Sequence, residues 1–217
     1  MIVLGLTGSI GMGKSTAAEM LRRMGIPVCD SDAIVHRLLG AGGAAVAPIQ
    51  RAFDNVVENG AVDRPALGKQ VFGDADALKQ LEDIVHPLVH AAQADFLRTM
   101  TRRGELLVVL DVPLLFEGGN DRYCDATIVV TAPRFLQEQR VLGRPGMTRD
   151  RLAGTLARQM PDSEKRRRAD FVVQTGIGRR HTLNRLIEIV TLMKGRHGTK
   201  WPAISPERRG ADARGRS

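Results

Sequence analysis

Residues 2–16 read Ile2-Val3-Leu4-Gly5-Leu6-Thr7-Gly8-Ser9-Ile10-Gly11-Met12-Gly13-Lys14-Ser15-Thr16, and this stretch decides the architecture. Ile2 to Leu6 is a short apolar run bounded by turn residues, the pattern of a parallel strand buried on both faces. The spacing Gly8-x-x-x-x-Gly13-Lys14-Ser15 then meets the Walker A pattern in full, with a strand before it and a helix after. Glycines let the backbone curl so that successive N–H groups point inward at phosphate oxygens. The helix starting near Lys14 adds the positive end of its dipole. Lys14 can reach the β- and γ-phosphates of a bound triphosphate, and the Ser15 hydroxyl can ligate Mg²⁺. Gly8, Gly11, Met12, Gly13, Lys14, Ser15 and Thr16 are the candidate nucleotide-binding residues.

Outward from the loop, the helix runs to about Met24, with Ala17, Met20, Leu21 and Met24 at helical spacing. Gly25 and Pro27 stop it. Ile26-Pro27-Val28-Cys29 reads as the second strand and ends at Asp30-Ser31-Asp32. Strand, loop, helix and strand in this order predict a right-handed parallel unit. Asp32, just beyond a strand end on the ligand side of such a sheet, is the candidate proton acceptor, with a plain helix N-cap as the alternative. Asp30 is read as a helix cap or turn-shaping residue.

Residues 33–104 show helical patterns at 33–39, 44–53 and 78–101, broken by Gly40-Ala41-Gly42-Gly43. They predict an all-helical insertion in an α/β core. Strand patterns return at 106–111 and 126–131. Residues 134–168 are helical and Arg-rich, interrupted by Gly143-Arg144-Pro145-Gly146. A short strand at 171–174 and an amphipathic helix at 181–194 close the pattern. The expected organisation is a core of 1–32, 105–133 and 169–194, the insertion 33–104, a helical lid 134–168, and a disordered basic tail 195–217.

The chain has 217 residues and a formal net charge of +8. The tail holds six Arg or Lys against two acidic residues, half of that excess. Much of the rest lies in 134–168, which fits a phosphate site better than a nucleic-acid face. Cys29 and Cys124 do not make a disulfide framework and read as small buried hydrophobes. No signal-peptide pattern or membrane-spanning run is recognised, so a reducing, cytoplasmic setting is expected. A guanine-reading Asn-Lys-x-Asp motif is absent from the sequence.

At this point the residues match something specific. The loop Leu6–Thr16, followed by Gly25-Ile26-Pro27-Val28-Cys29-Asp30-Ser31-Asp32, resembles the opening of dephospho-CoA kinases. So do His86-Pro87-Leu88, Asp111-Val112-Pro113-Leu114-Leu115-Phe116-Glu117, Gln139-Arg140 through Arg144, Arg158-Gln159-Met160 with Lys165, and Ala169–Val173. Together they span about residues 1–190 in the expected order. The resemblance departs at Gln174-Thr175-Gly176, where many members carry an Asn. It implies ATP and Mg²⁺ as cofactors and dephospho-CoA as the small-molecule substrate, phosphorylated on its ribose 3′-hydroxyl. No specific nucleic acid or membrane partner is expected.

By that resemblance Asp32 is the base. Arg140 closes onto the transferring phosphate with Arg144 second, although a solvated, salt-bridged helix face would also explain either arginine. Asp111 holds Mg²⁺ through water or simply caps its strand. His86, Pro87, Leu114 and Glu117 line the acceptor site. His86 could equally be a hydrogen-bonding residue at a helix end, and Leu114 to Phe116 equally core. Two rivals stay open: a kinase of another small metabolite, such as a nucleoside monophosphate, and a nucleotide-dependent switch or nucleic-acid-binding ATPase.

Overall fold

The computed structural model describes residues 1–202. Its chain divides into two compact units: Met1–Cys29 with the chain from Met100 onward, and Asp30–Thr99.

The first unit is built on strands β1 (Ile2–Thr7), β2 (Val28–Asp30), β5 (Leu107–Asp111), β6 (Ala126–Thr131) and β7 (Phe171–Gln174), in the order β2-β5-β1-β6-β7. β1 runs parallel to β5 and β6, and β6 to β7. Every residue of β1, β5 and β6 is buried. That is why these strands read as unbroken apolar runs rather than alternating ones. On one face Leu4, Leu6, Val109, Ile128 and Val130 join a core with Ala17 and Leu21 of α1 (Lys14–Arg23) and Leu186 and Ile189 of α9 (Arg179–Lys194). On the other, a Cβ at Gly5 would lie 2.7 Å from Leu115 Cδ2 and 2.8 Å from Cys124 Sγ. Only a glycine lets that layer approach so closely.

The Arg-rich segment forms three helices, α6 (Arg134–Leu142), α7 (Arg149–Ala157) and α8 (Asp162–Arg168). Thr148 caps α7 through the Arg151 amide.

The second unit contains α2 (Ser31–Leu39), α3 (Val46–Ala52), α4 (Arg64–Val71) and most of α5 (Ala75–Arg102). Its own core gathers Val46, Ile49, Phe53, Val56, Val62 and Leu67. An all-helical insertion needs one correction. Val57–Glu58 (β3) and Ala61–Val62 (β4) pair antiparallel around Asn59 and Gly60, both at positive φ. Two residues a side are too few to show the period-two alternation by which a strand is recognised. Helix α4 lies in a stretch the sequence left unassigned, with Asp63 capping it and Pro65 in its first turn. Pro87 sits inside the 28-residue α5 without ending it.

The tail also differs from expectation. Gly198 packs so tightly on the N-terminus that a Cβ there would overlap the Met1 carbonyl oxygen at 2.0 Å. The Thr199 amide and hydroxyl donate to Asp125 Oδ1 at 2.5 and 3.0 Å, and the Lys200 amide at 3.1 Å. The Trp201 indole donates to Thr101 Oγ1 at 2.8 Å. Residues 195–202 are therefore not a structureless tail. Specific backbone and side-chain donors, invisible to composition, hold them. Residues 203–217 of the expected tail lie outside the described residues.

Candidate functional site

The loop after β1 is shaped by close approach. A Cβ at Gly8 would sit 2.5 Å from Val130 Cγ2 and 2.7 Å from the Val130 carbonyl oxygen. Gly13, at φ +90°, is the N-cap of α1. No side chain caps that helix, and its first turn carries no acidic residue. The amides and positive dipole end at Lys14–Thr16 are thus left for an anion, the Ala17 amide being the first to bond within the helix, to the Gly13 carbonyl at 3.1 Å. Ser15 and Thr16 are exposed there. Lys14 Nζ lies 2.7 Å from Asp111 Oδ1, a carboxylate residue only 2% exposed at the end of β5. A cation, uncapped amides, the Ser15 hydroxyl and a strand-end carboxylate form a donor set that fits a phosphate chain and a hard divalent metal ion.

Behind the loop, three successive carbonyls are each held by a side-chain donor. Gln137 Nε2 donates to the Ile10 carbonyl at 2.8 Å. Arg140 Nη1 donates to the Gly11 carbonyl at 3.3 Å, and Thr175 Oγ1 to the Met12 carbonyl at 2.7 Å. Because a trans peptide places C=O and the next N–H on opposite sides, the Gly11 and Gly13 amides face away from these donors. Arg140 also donates to Thr175 Oγ1 at 3.1 Å and to the Thr175 carbonyl at 2.9 Å. The Ile10 amide donates to Gln159 Oε1 at 3.0 Å.

Beside the loop lies a cavity of about 620 Å³, walled by Ser9, Met12, Thr131, Gln137, Asp162 and Gln174 among others. Asp162 Oδ2 accepts from the Thr131 hydroxyl at 2.8 Å. Glu117 accepts the Met160 amide at 2.8 Å and pairs with the fully buried Lys165 at 2.8 Å. A carboxylate and an ammonium thus anchor the end of the Arg-rich segment to the loop after β5. The Cys124 thiol is pushed up to about 12, first by burial and then by Asp121 and Asp125.

The residues singled out in the sequence fall as follows. Lys14, Ser15, Asp111 and Arg140 come together around the loop. Arg140 is half-buried and bound to loop and Thr175 oxygens, so the solvated-face reading does not hold for it. Arg144 is exposed on the turn after α6. Glu117 faces Met160 and Lys165. Leu115 and Phe116 are core, whereas Leu114 is 43% exposed. Asp30 caps α2 through the Ala33 amide at 3.0 Å, while Asp32, two residues on, is exposed in the first turn of that helix. His86 and Pro87 are exposed in the interior of α5, so the helix-end reading of His86 fails. Gln137 and Thr175 were missed as structural holders of the loop. An isolated amide or hydroxyl side chain leaves no periodic signal. Gln159 was noticed only as part of a resemblance.

This geometry defines a P-loop kinase: a phosphate loop on a five-stranded sheet, under an Arg-rich helical segment. Residues 2–178 match the family dephospho-CoA kinase (CoaE). The chain belongs to the dephospho-CoA kinase family. It is 62% identical over 195 residues to a dephospho-CoA kinase of Paramagnetospirillum magneticum, covering 90% of this chain and 92% of that one. It is 51% identical over 199 residues to one of Mesorhizobium japonicum, covering 92% of this chain and 100% of that one. Among solved structures, TT1252 from Thermus thermophilus superposes with a TM-score of 0.79 at 37% identity, covering 88% of this chain and 96% of that one. A shikimate kinase from Acinetobacter baumannii, at 18% identity and TM-score 0.50 over 90% of this chain and 94% of its own, shares the fold.

Proposed function

We propose that this kinase transfers the γ-phosphoryl group of ATP to the ribose 3′-hydroxyl of dephospho-CoA, giving coenzyme A. The observation that carries the reading is the uncapped start of α1 with Lys14 held against Asp111, in a chain of this family. The transition state of phosphoryl transfer is loose and highly charged, so positioning and charge stabilisation do most of the work.

In this reading the Gly11 and Gly13 amides and Lys14 grip the triphosphate. Lys14 keeps Asp111 as one partner and offers its remaining donors to phosphate oxygens. Ser15 and Asp111 would hold Mg²⁺, which when bound neutralises phosphate charge. Asp32 takes the proton of the acceptor hydroxyl. Its neighbour Asp30 is committed to capping α2, which supports choosing Asp32. Arg140 contributes charge at the phosphates from beside Gly11, with Arg144 as a more exposed second cation. Residues 33–104, with His86 and Pro87, are read as acceptor-binding, as are Leu114 and Glu117, and 134–168 act as the lid. The two cysteines are free and buried, which suits a reducing cytoplasm.

Incubation with Mg-ATP and a panel of acceptors tests the assignment. Dephospho-CoA should be phosphorylated and nucleoside monophosphates should not; the reverse selectivity would overturn it. Asp32→Asn should lower turnover at least ~100-fold, the scale of general-base catalysis, while ATP still binds. Near-normal turnover would remove Asp32 as the base.

A further inference from the structure

The two peptide units that flank Ile10 are each held by a side-chain amide that carries no assigned role. Gln137 Nε2 reaches the Ile10 carbonyl at 2.8 Å from α6, and Gln159 Oε1 accepts the Ile10 amide at 3.0 Å from just beyond α7. The polarity of each bond is fixed by the backbone: a carbonyl can only accept and an amide can only donate. Gln137 must therefore present its NH₂ and Gln159 its oxygen. Gln137 is 5% exposed and packs against the loop, where its Cγ would lie 3.3 Å from a Cβ on Gly11.

Two consequences follow. First, the Ile10 amide is already engaged, so the phosphate-facing amides begin at Gly11. Second, the plane of the Ile10 peptide sets the direction of the Gly11 N–H, since its carbonyl and that N–H belong to one rigid unit. Gln137 fixes that Ile10–Gly11 unit directly and Gln159 fixes the preceding Ser9–Ile10 unit, so the rotations at Ile10 that join the two units are restrained before the anion binds.

We propose that Gln137 and Gln159 are positioning residues that preset the phosphate loop through the two peptide units flanking Ile10, and that Gln159 makes the end of α7 a mechanical extension of the loop. The inference rests on the kinase reading for its activity arm alone. Neither side chain is assigned a contact with the phosphates, so the expected losses appear in nucleotide binding and not in acceptor binding.

The test uses Gln159→Met, Gln159→Glu and Gln137→Met in the full chain. Amide exchange at Ile10, followed by NMR without ligand, should quicken at least ~10-fold in Gln159→Met, as expected when a hydrogen bond of ordinary strength is lost. It should stay slow in Gln159→Glu, whose carboxylate still accepts. Both methionine variants should weaken ATP binding about tenfold and raise the KM for ATP. The KM for dephospho-CoA should stay within about twofold, since neither residue is placed at the acceptor. Unchanged Ile10 exchange in Gln159→Met, equal exchange in the Glu and Met variants, or unaltered ATP affinity in Gln159→Met would overturn the proposal. The buried Gln137 variant could fail to fold, and the two Gln159 variants decide the matter alone. If the wild-type chain bound ATP but left dephospho-CoA untouched, the acceptor assignment would fall while the exchange and binding arms still stood.

Discussion

Cys124 shows how one residue's surroundings set its chemistry. Its thiol is walled in by burial and by the Asp121 and Asp125 carboxylates, which together raise its pKa from 9.0 to about 12. Below pH 9 the thiol is neutral in both folded and unfolded chains, so its burial has no pH-dependent cost. Above pH 9 the unfolded chain ionises and the folded chain does not, so stability falls until the folded pKa is reached. The loss approaches ~1.4 kcal/mol per pH unit. Urea midpoints at pH 8 and pH 10 check this. The wild type should lose roughly 1 kcal/mol more between them than Cys124→Ala does; an equal loss would refute it. At this same scale the sequence was most readable. Gly8, Gly13, Lys14 and Ser15 declare themselves because a tight turn and a phosphate demand those residue types at fixed spacing. Gln137 and Thr175 do not, because any polar side chain that happens to arrive could hold a carbonyl, and only the fold says which one arrives.

Among the elements, α8 hangs on a single buried charge. It buries Lys165 completely and sets its ammonium 2.8 Å from Glu117, which also accepts the Met160 amide. Lys165→Met would leave a largely enclosed carboxylate without its cation. Removing one partner of such a pair costs about 3–5 kcal/mol, enough to lower a denaturant midpoint plainly. The double variant Lys165→Met, Glu117→Met should recover part of that loss, since it removes the stranded charge. If the single variant were as stable as wild type, the pair would have no structural role. The sequence marked 134–168 as helical and charged, but not that one of its lysines points into the core. A charge pattern reports the composition of a face, not the rotamer of a member. Elements β1, β5 and β6 were legible almost to the residue, because a doubly buried strand must be apolar throughout. β3 and β4 were not, because two residues hold no pattern.

For the molecule as a whole, the described part of the C-terminal segment ties back onto the end of the sheet opposite the phosphate loop. Asp125, just before β6, accepts three donors from Thr199 and Lys200 on one oxygen and the Val3 amide on the other at 2.8 Å. A chain ending at Gly198 should lose roughly 1–3 kcal/mol and show a lower Tm. Its KM for ATP should be unchanged, since the clasp and the loop lie at opposite strand ends. An unaltered Tm would mean the clasp contributes nothing, and an altered KM would mean it reaches the site. The two-unit division was foreshadowed by the break in strand patterns after Asp32. Composition misjudged the tail because Gly, Pro and Arg describe what cannot form a core, not what can be pinned by its backbone.

The carbonyls of Ile10, Gly11 and Met12 are all occupied from behind by Gln137, Arg140 and Thr175. The loop is therefore electrically one-sided, its negative poles insulated by protein and its positive poles facing outward. Such a surface behaves like a small fixed electrode. It ranks visitors by charge density and size, and inorganic pyrophosphate or sulfate would satisfy it as readily as the tail of a nucleotide. Recognition of the base must be carried out elsewhere, by parts that can fail or be redesigned without disturbing the grip on phosphate.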